Sequence, residues 1–311
     1  MSAEGGTKAI LAALAANAGI AIAKFVGFAI TGSSAMLAEG VHSVADTSNQ
    51  GLLLLGKRTA RRKASSTHPF GYGRDRYFYS FVVALMLFSL GSVFALYEGI
   101  HKLAEPEELK SPLVAVVILV IAIGLEIFSF RTAIVESARI KGGASWWQFI
   151  RQSKQPELPV VLLEDAGALF GLIFALFGVG LTVATGDPVW DAVGTIMIGA
   201  LLGVIAIVLI IEMKSLLIGE GATESVLEVI NTQLVGGRVR RIIHLRTQYL
   251  GPDELLIAAK IALRPGLPVA EVAQEIDEAE QRVRGSVPDA RLIYLEPDLD
   301  RSETETTDHS R

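Results

Sequence analysis

Cysteine is absent from the 311-residue chain. That absence excludes a disulfide scaffold, a cysteine nucleophile, a thiolate metal site and an iron–sulfur centre. Basic charge is also scarce: 28 Lys and Arg against 33 Asp and Glu leave a formal net charge of −5. Such mild acidity argues against nucleic acid as a partner. No HExxH pattern occurs, so a membrane metal-dependent hydrolase has no obvious general base, and the chain does not read as an enzyme. Hydrophobicity, by contrast, is plentiful. It accounts for 51% of residues, with a mean hydropathy of +0.45. Soluble domains do not carry this much, so the surplus must be solvated by lipid.

Six apolar runs fall at residues 10–30, 35–55, 78–100, 113–135, 160–184 and 189–211. Each is long enough to cross a hydrocarbon core of about 30 Å, which predicts an all-α six-helix transmembrane domain over residues 1–214. The first run is too long for a cleavable leader and has no small-residue cleavage site after it. Between runs two and three lie Lys57, Arg58, Arg61, Arg62, Lys63, Arg74 and Arg76, and between runs four and five Arg139, Lys141, Arg151 and Lys154. The links at 31–34 and 185–188 carry no basic residue, and that at 105–110 is net acidic. Positive loops stay inside, so both termini are expected in the cytoplasm, with a bacterial cytoplasmic (inner) membrane as the location. Residues 145–159, with Trp146, Trp147, Arg151 and Lys154, read as an interfacial segment.

After Lys214 short apolar stretches alternate with charge, as in a soluble domain. The spacing predicts a helix over 223–234, strands over 239–249 and 254–263, an amphipathic helix over 269–287 behind Pro268, and a last strand over 290–295. The order α-β-β-α-β over residues 215–298 predicts a small α+β domain, an open-faced sheet with helices on one side. The polar tail 299–311 is expected to be disordered.

Ionisable residues inside a membrane span are functional candidates by default, because each costs several kcal/mol there. The second run contains Glu39, His42 and Asp46. His42 and Asp46 are four apart and so share a helix face, forming half of a tetrahedral site for a borderline divalent cation. Glu164 and Asp165 open the fifth run at a comparable depth, and Asp165 is the candidate to complete the site. A hydrogen-bonded, merely structural His42 and an interfacial Glu164 stand as alternatives. Glu39 reads as a partner of the site or a proton carrier, Glu126 and Arg131 as a structural or interfacial pair, and Asp191 as a helix-start residue. His68, His101, His244 and His309 are isolated, and the Arg238, Arg240 and Arg241 cluster reads as a solvated edge.

The run from Thr31 to Gln50 (TGSSAMLAEGVHSVADTSNQ), the HPFGYGR stretch from His68 to Arg74, the six runs and the α-β-β-α-β tail together resemble the cation diffusion facilitator family of divalent-metal/proton antiporters. The resemblance covers nearly the whole chain and is nearest the zinc transporter nine-like branch. It implies a ferredoxin- or metallochaperone-like tail domain that dimerises, and a transport site with two ligands from span two and two from span five. His42, Asp46 and Asp165 match three of these positions. The fourth falls on Val161, which cannot bind metal, while the Glu164-Asp165 pair matches the branch pattern. Adjacent helical residues point about 100° apart, so Glu164 needs a distorted helix start to bind, and water, Asn17 or Asn49 are the other candidates for the vacancy. The loop-site positions fall on Ser65, His68 and Tyr72, leaving His68 as one plausible ligand. With only His244, the tail domain is expected to lack a binuclear site.

The resemblance implies export of a divalent cation, Zn²⁺ first and Mn²⁺, Fe²⁺ or Co²⁺ as alternatives, in exchange for protons. Metal needs neutral imidazole and ionised carboxylates, so proton and metal compete for the same groups. No permanent cofactor is expected. The partners expected are the cation, protons, lipid and a second copy of the chain. A non-transporting metal sensor or scaffold is the alternative from another class.

Overall fold

The computed structural model describes residues 18–106 and 108–299. Asn17 and the tail beyond Leu299 lie outside the described residues. Two compact units emerge: residues 18–59 with 76–214, and residues 60–75 with 215–299.

The first unit is helical. Its elements are α1 (Ala18–Thr31), α2 (Ser34–Ala60), α3 (Asp75–Ala104), α4 (Pro112–Lys141), α5 (Trp146–Gln152), α6 (Glu157–Thr185) and α7 (Val189–Ile218). Of the six spans expected, α3, α4, α6 and α7 are each long and apolar enough to cross a membrane. The 27-residue α2 is long enough, but its face of Glu39, His42 and Asp46 dilutes its apolarity. The described part of α1 is shorter than a full span.

Local chemistry sets the helix ends. Ser33 accepts the amide of Met36 at 3.3 Å, an N-cap bond that starts α2. Pro112 opens α4, where its missing N–H costs nothing. Ser145 and Gln148 bond each other's backbone amides in a capping box, which makes a short helix of the segment that the sequence marks only as interfacial. Within α3, Leu87–Val93 forms a π-helical turn, and Ser92 in it donates to the Gly199 carbonyl at 2.8 Å. A Cβ at Gly199 would lie 2.8 Å from the Leu96 amide nitrogen, so only glycine lets α7 approach α3 this closely. Arg76 and Glu157 make a two-pronged pair at 2.6 and 2.9 Å that ties the starts of α3 and α6.

Asp191, in the first turn of α7, is more than a helix-start residue. It is fully buried and accepts the hydroxyls of Ser33 (2.6 Å) and Ser34 (3.0 Å) and the amide of Ser34 (2.9 Å). Lys102 lies 3.7 Å away and also donates to the Gly32 carbonyl. One carboxylate thereby holds the starts of α2 and α7 and the end of α3 together.

The second unit follows the predicted α-β-β-α-β order: α8 (Glu224–Leu234), β1 (Val239–Gly251), β2 (Glu254–Leu263), α9 (Val269–Ser286) and β3 (Leu292–Asp298). Strand β1 is antiparallel to β2, and β2 runs parallel to β3, the return being made through α9. Alternate residues Leu255, Ile257 and Ile261 of β2 point into a core with Ile230 and Leu234 of α8 and Ala279 and Val283 of α9. The helices therefore cover one face of the sheet. Buried Glu275 accepts the Arg238 amide at 3.0 Å and Arg282 at 3.2 Å. A Cβ at Gly237 (φ +56°) would lie 2.6 Å from its carboxylate, so the turn before β1 requires glycine. The α2–α3 loop belongs to this unit, with Gly73 lying against Leu250 and Gly251.

Candidate metal centre

Helix α2 carries Glu39, His42, Asp46 and Asn49 at spacings of three and four, which puts them along one face. Glu39, His42 and Asn49 are fully buried, and the Asp46 side chain is 20% exposed. His42 Nε2 faces Asp46 Oδ2 at 3.5 Å, beyond a normal hydrogen bond. Neither ring nitrogen of His42 nor Oδ1 of Asp46 has a hydrogen-bond partner. Buried polar atoms are almost always bonded, so an imidazole and a carboxylate oxygen left open side by side suit a ligand that accepts electron pairs. A divalent cation fits that donor set.

Helix α6 brings Glu164 and Asp165. Glu164 is buried and accepts Asn49 Nδ2 at 2.5 Å, while Asp165 accepts Ser129 Oγ from α4 at 3.0 Å. Asp46, Glu164 and Asp165 share a cavity of about 30 Å³, which Glu126, Ser129 and Val161 also line. Three of the four predicted ligands thus meet in one cavity. His42 adjoins it through Asp46 without lining it. Among the described residues, no three His, Asp or Glu side chains stand close enough together to hold a metal in this conformation.

The accessory candidates separate. Asn49 orients Glu164. Glu39 pairs with Lys24 of α1 at 2.9 Å, and the same ammonium donates to Ser43 at 2.8 Å, so Glu39 is held in an ion pair wholly inside the helical unit. His68 sits exposed in the α2–α3 loop, 3.1 Å from Thr67 Oγ1 and 4.6 Å from the Tyr72 ring. Glu126 is not paired with Arg131, which is exposed. It lines the cavity instead. Two residues escape the sequence reading, Lys24 and Ser129. Lys24 is a charge within an apolar run, the signal that singles out Glu39; Ser129 carries no comparable mark.

A family model of the cation efflux transmembrane domain matches residues 10–218. The proton-coupled zinc antiporter SLC30A9, mitochondrial, of Xenopus laevis is 34% identical over 262 residues, covering 83% of this chain and 47% of that protein. Metal tolerance protein C4 of Arabidopsis thaliana is 30% identical over 260 residues, covering 82% and 56%. The chain thus spans about half the length of these curated relatives. A nickel form of the MamM C-terminal domain is 20% identical, covering 25% of this chain and 98% of that one, with a TM-score of 0.24. With a matched family domain over two-thirds of its length and a relative named as a zinc antiporter, the chain belongs to the cation efflux, or cation diffusion facilitator, family.

Proposed function

We propose that the protein is a secondary transporter that exports a divalent cation, Zn²⁺ first, from the cytoplasm in exchange for protons. The observation that carries this reading is His42: a buried imidazole with both nitrogens open, turned toward an Asp46 oxygen, at the edge of a cavity that also takes Glu164 and Asp165. In this reading α1 and α2 complete six spans in a bacterial inner membrane, with both termini in the cytoplasm. Residues 215–298 join two copies into a homodimer.

His42 binds a cation only as neutral imidazole, and Asp46, Asp165 and Glu164 only as carboxylates. Protons arriving from an acidic compartment therefore expel the metal from the same atoms that hold it. Asn49 keeps Glu164 turned toward the cavity, and Ser129 does the same for Asp165. Helix rocking around this fixed site exposes it to one side and then the other.

The test is Zn²⁺ uptake into proteoliposomes under an imposed pH gradient, with Mn²⁺, Fe²⁺ and Co²⁺ compared. Gradient-driven flux in the wild type, lost in Asp46→Ala and Asp165→Ala, is the expected result. Absence of flux for every metal overturns the proposal and leaves a membrane metal sensor as the better reading.

A further inference from the structure

The cavity beside Asp46 receives a fourth carboxylate, Glu126, from α4. Its lining includes Asp46, Glu126, Glu164 and Asp165 but no Lys or Arg, and the nearby ammonium of Lys24 is engaged by Glu39 and Ser43. Four carboxyl groups around about 30 Å³ cannot all be ionised together unless a cation sits among them; otherwise they hold protons. Independently of these carboxylates, the adjoining His42 is fully buried, unbonded at both nitrogens and faces Asp46, donor chemistry that suits a cation.

The geometry explains why Glu126 sits there. Ser129 is three residues beyond Glu126 on the same face of α4, and its bond to Asp165 pins that face against α6. On α6, Val161 precedes Asp165 by one turn, so it occupies the same side of the helix and lines the same cavity without a donor atom. Small and apolar, it leaves that wall open to the longer Glu126 side chain.

We propose that Glu126 is a metal ligand, the oxygen donor that α4 supplies in place of the one Val161 cannot give. This rests on the transport reading of the site. The site then draws on three helices, α2, α4 and α6, whose carboxylates and the adjoining imidazole close on a divalent cation from positions that stand too far apart to hold it in the conformation described.

The test uses the full chain in proteoliposomes, measuring Zn²⁺ uptake against Zn²⁺ concentration at a fixed pH gradient. Glu126→Gln is expected to raise the half-saturating Zn²⁺ about tenfold or more, since even residues that merely orient a ligand cost 10–100-fold. Adding Val161→Asp is expected to recover most of that loss in Glu126→Gln while tightening the wild type far less, a coupling that a purely structural role for Glu126 does not produce. Zn²⁺ titration calorimetry on the detergent-purified variants gives the same ranking without transport, and Glu126→Asp, which keeps the charge, serves if Glu126→Gln does not fold. Wild-type flux that Asp46→Ala abolishes and Glu126→Gln leaves at normal half-saturation overturns this proposal alone. A defect that Val161→Asp leaves untouched also overturns it. A wild type with no gradient-driven flux overturns the transport reading and this one together.

Discussion

Two aspartates within the helical unit, Asp191 fully buried and Asp46 mostly so, behave in opposite ways. Asp191 has both oxygens bonded, to two serine hydroxyls and an amide, with Lys102 close by. Asp46 keeps one oxygen without any partner and faces a histidine that is equally unbonded. Both carry the desolvation cost of burial, yet only Asp191 has it offset by the protein itself. A satisfied buried carboxylate holds helices together. On the transport reading, an unsatisfied one is left to bind the cargo.

The sharpest way to break this contrast is Asp46→Ala. It is expected to abolish gradient-driven metal flux while leaving the thermal midpoint of the metal-free protein unchanged or higher, because an uncompensated carboxylate is removed. Flux assays and thermal denaturation on one preparation check both halves. Asp191→Ala should do the reverse at the level of the fold, costing about 3–5 kcal/mol by leaving the Lys102 charge buried beside an empty position. The Lys24–Glu39 pair sits between the two cases. Lys24→Met alone should destabilise by a similar amount, whereas Lys24→Met with Glu39→Leu should restore most of the loss, since apolar replacements of a buried pair are often neutral. A double variant as unstable as the single one contradicts that expectation.

Outside the helical unit the same logic predicts a smaller effect. Burial pushes the Asp289 carboxyl above its ordinary range, with Asp253 adding to the shift and Arg291 opposing it. A raised folded-state value favours the protonated form. Its stabilising contribution is therefore full below the ordinary aspartate range and is lost as pH rises through the folded value. Asp289→Asn should stabilise the second unit at pH 7 by about 0.3 kcal/mol, given how much solvent screens the group, and should have no effect near pH 3. Denaturant titrations at the two pH values measure this directly.

Composition made the four long apolar helices legible, although each of α3, α4, α6 and α7 extends past its apolar run because helical backbone continues where polar side chains begin. The α-β-β-α-β order was equally readable from periodicity. Which strands pair in parallel was not, since register is decided by side chains far apart in sequence. The π-helical turn in α3 left no mark, and the cap that Ser145 and Gln148 form at the start of α5 was missed by the reading of 145–159 as interfacial. At the site, the spacing of His42 and Asp46 was enough to put them on one face. Glu126 was harder. Its nearest opposite charge in sequence, Arg131, suggested a pair, but a helix has two sides, and only the packing of α4 on α6 determines which of them meets Asp165.

The size of the cavity carries its own consequence for selectivity. At about 30 Å³ it is small, and its carboxyl lining offers oxygens in exchange for water. On the transport reading, a cargo trades waters for these ligands on entry. Mg²⁺, which dehydrates reluctantly and keeps several waters when bound, makes that trade poorly. Zn²⁺, satisfied by four close protein ligands, makes it more readily.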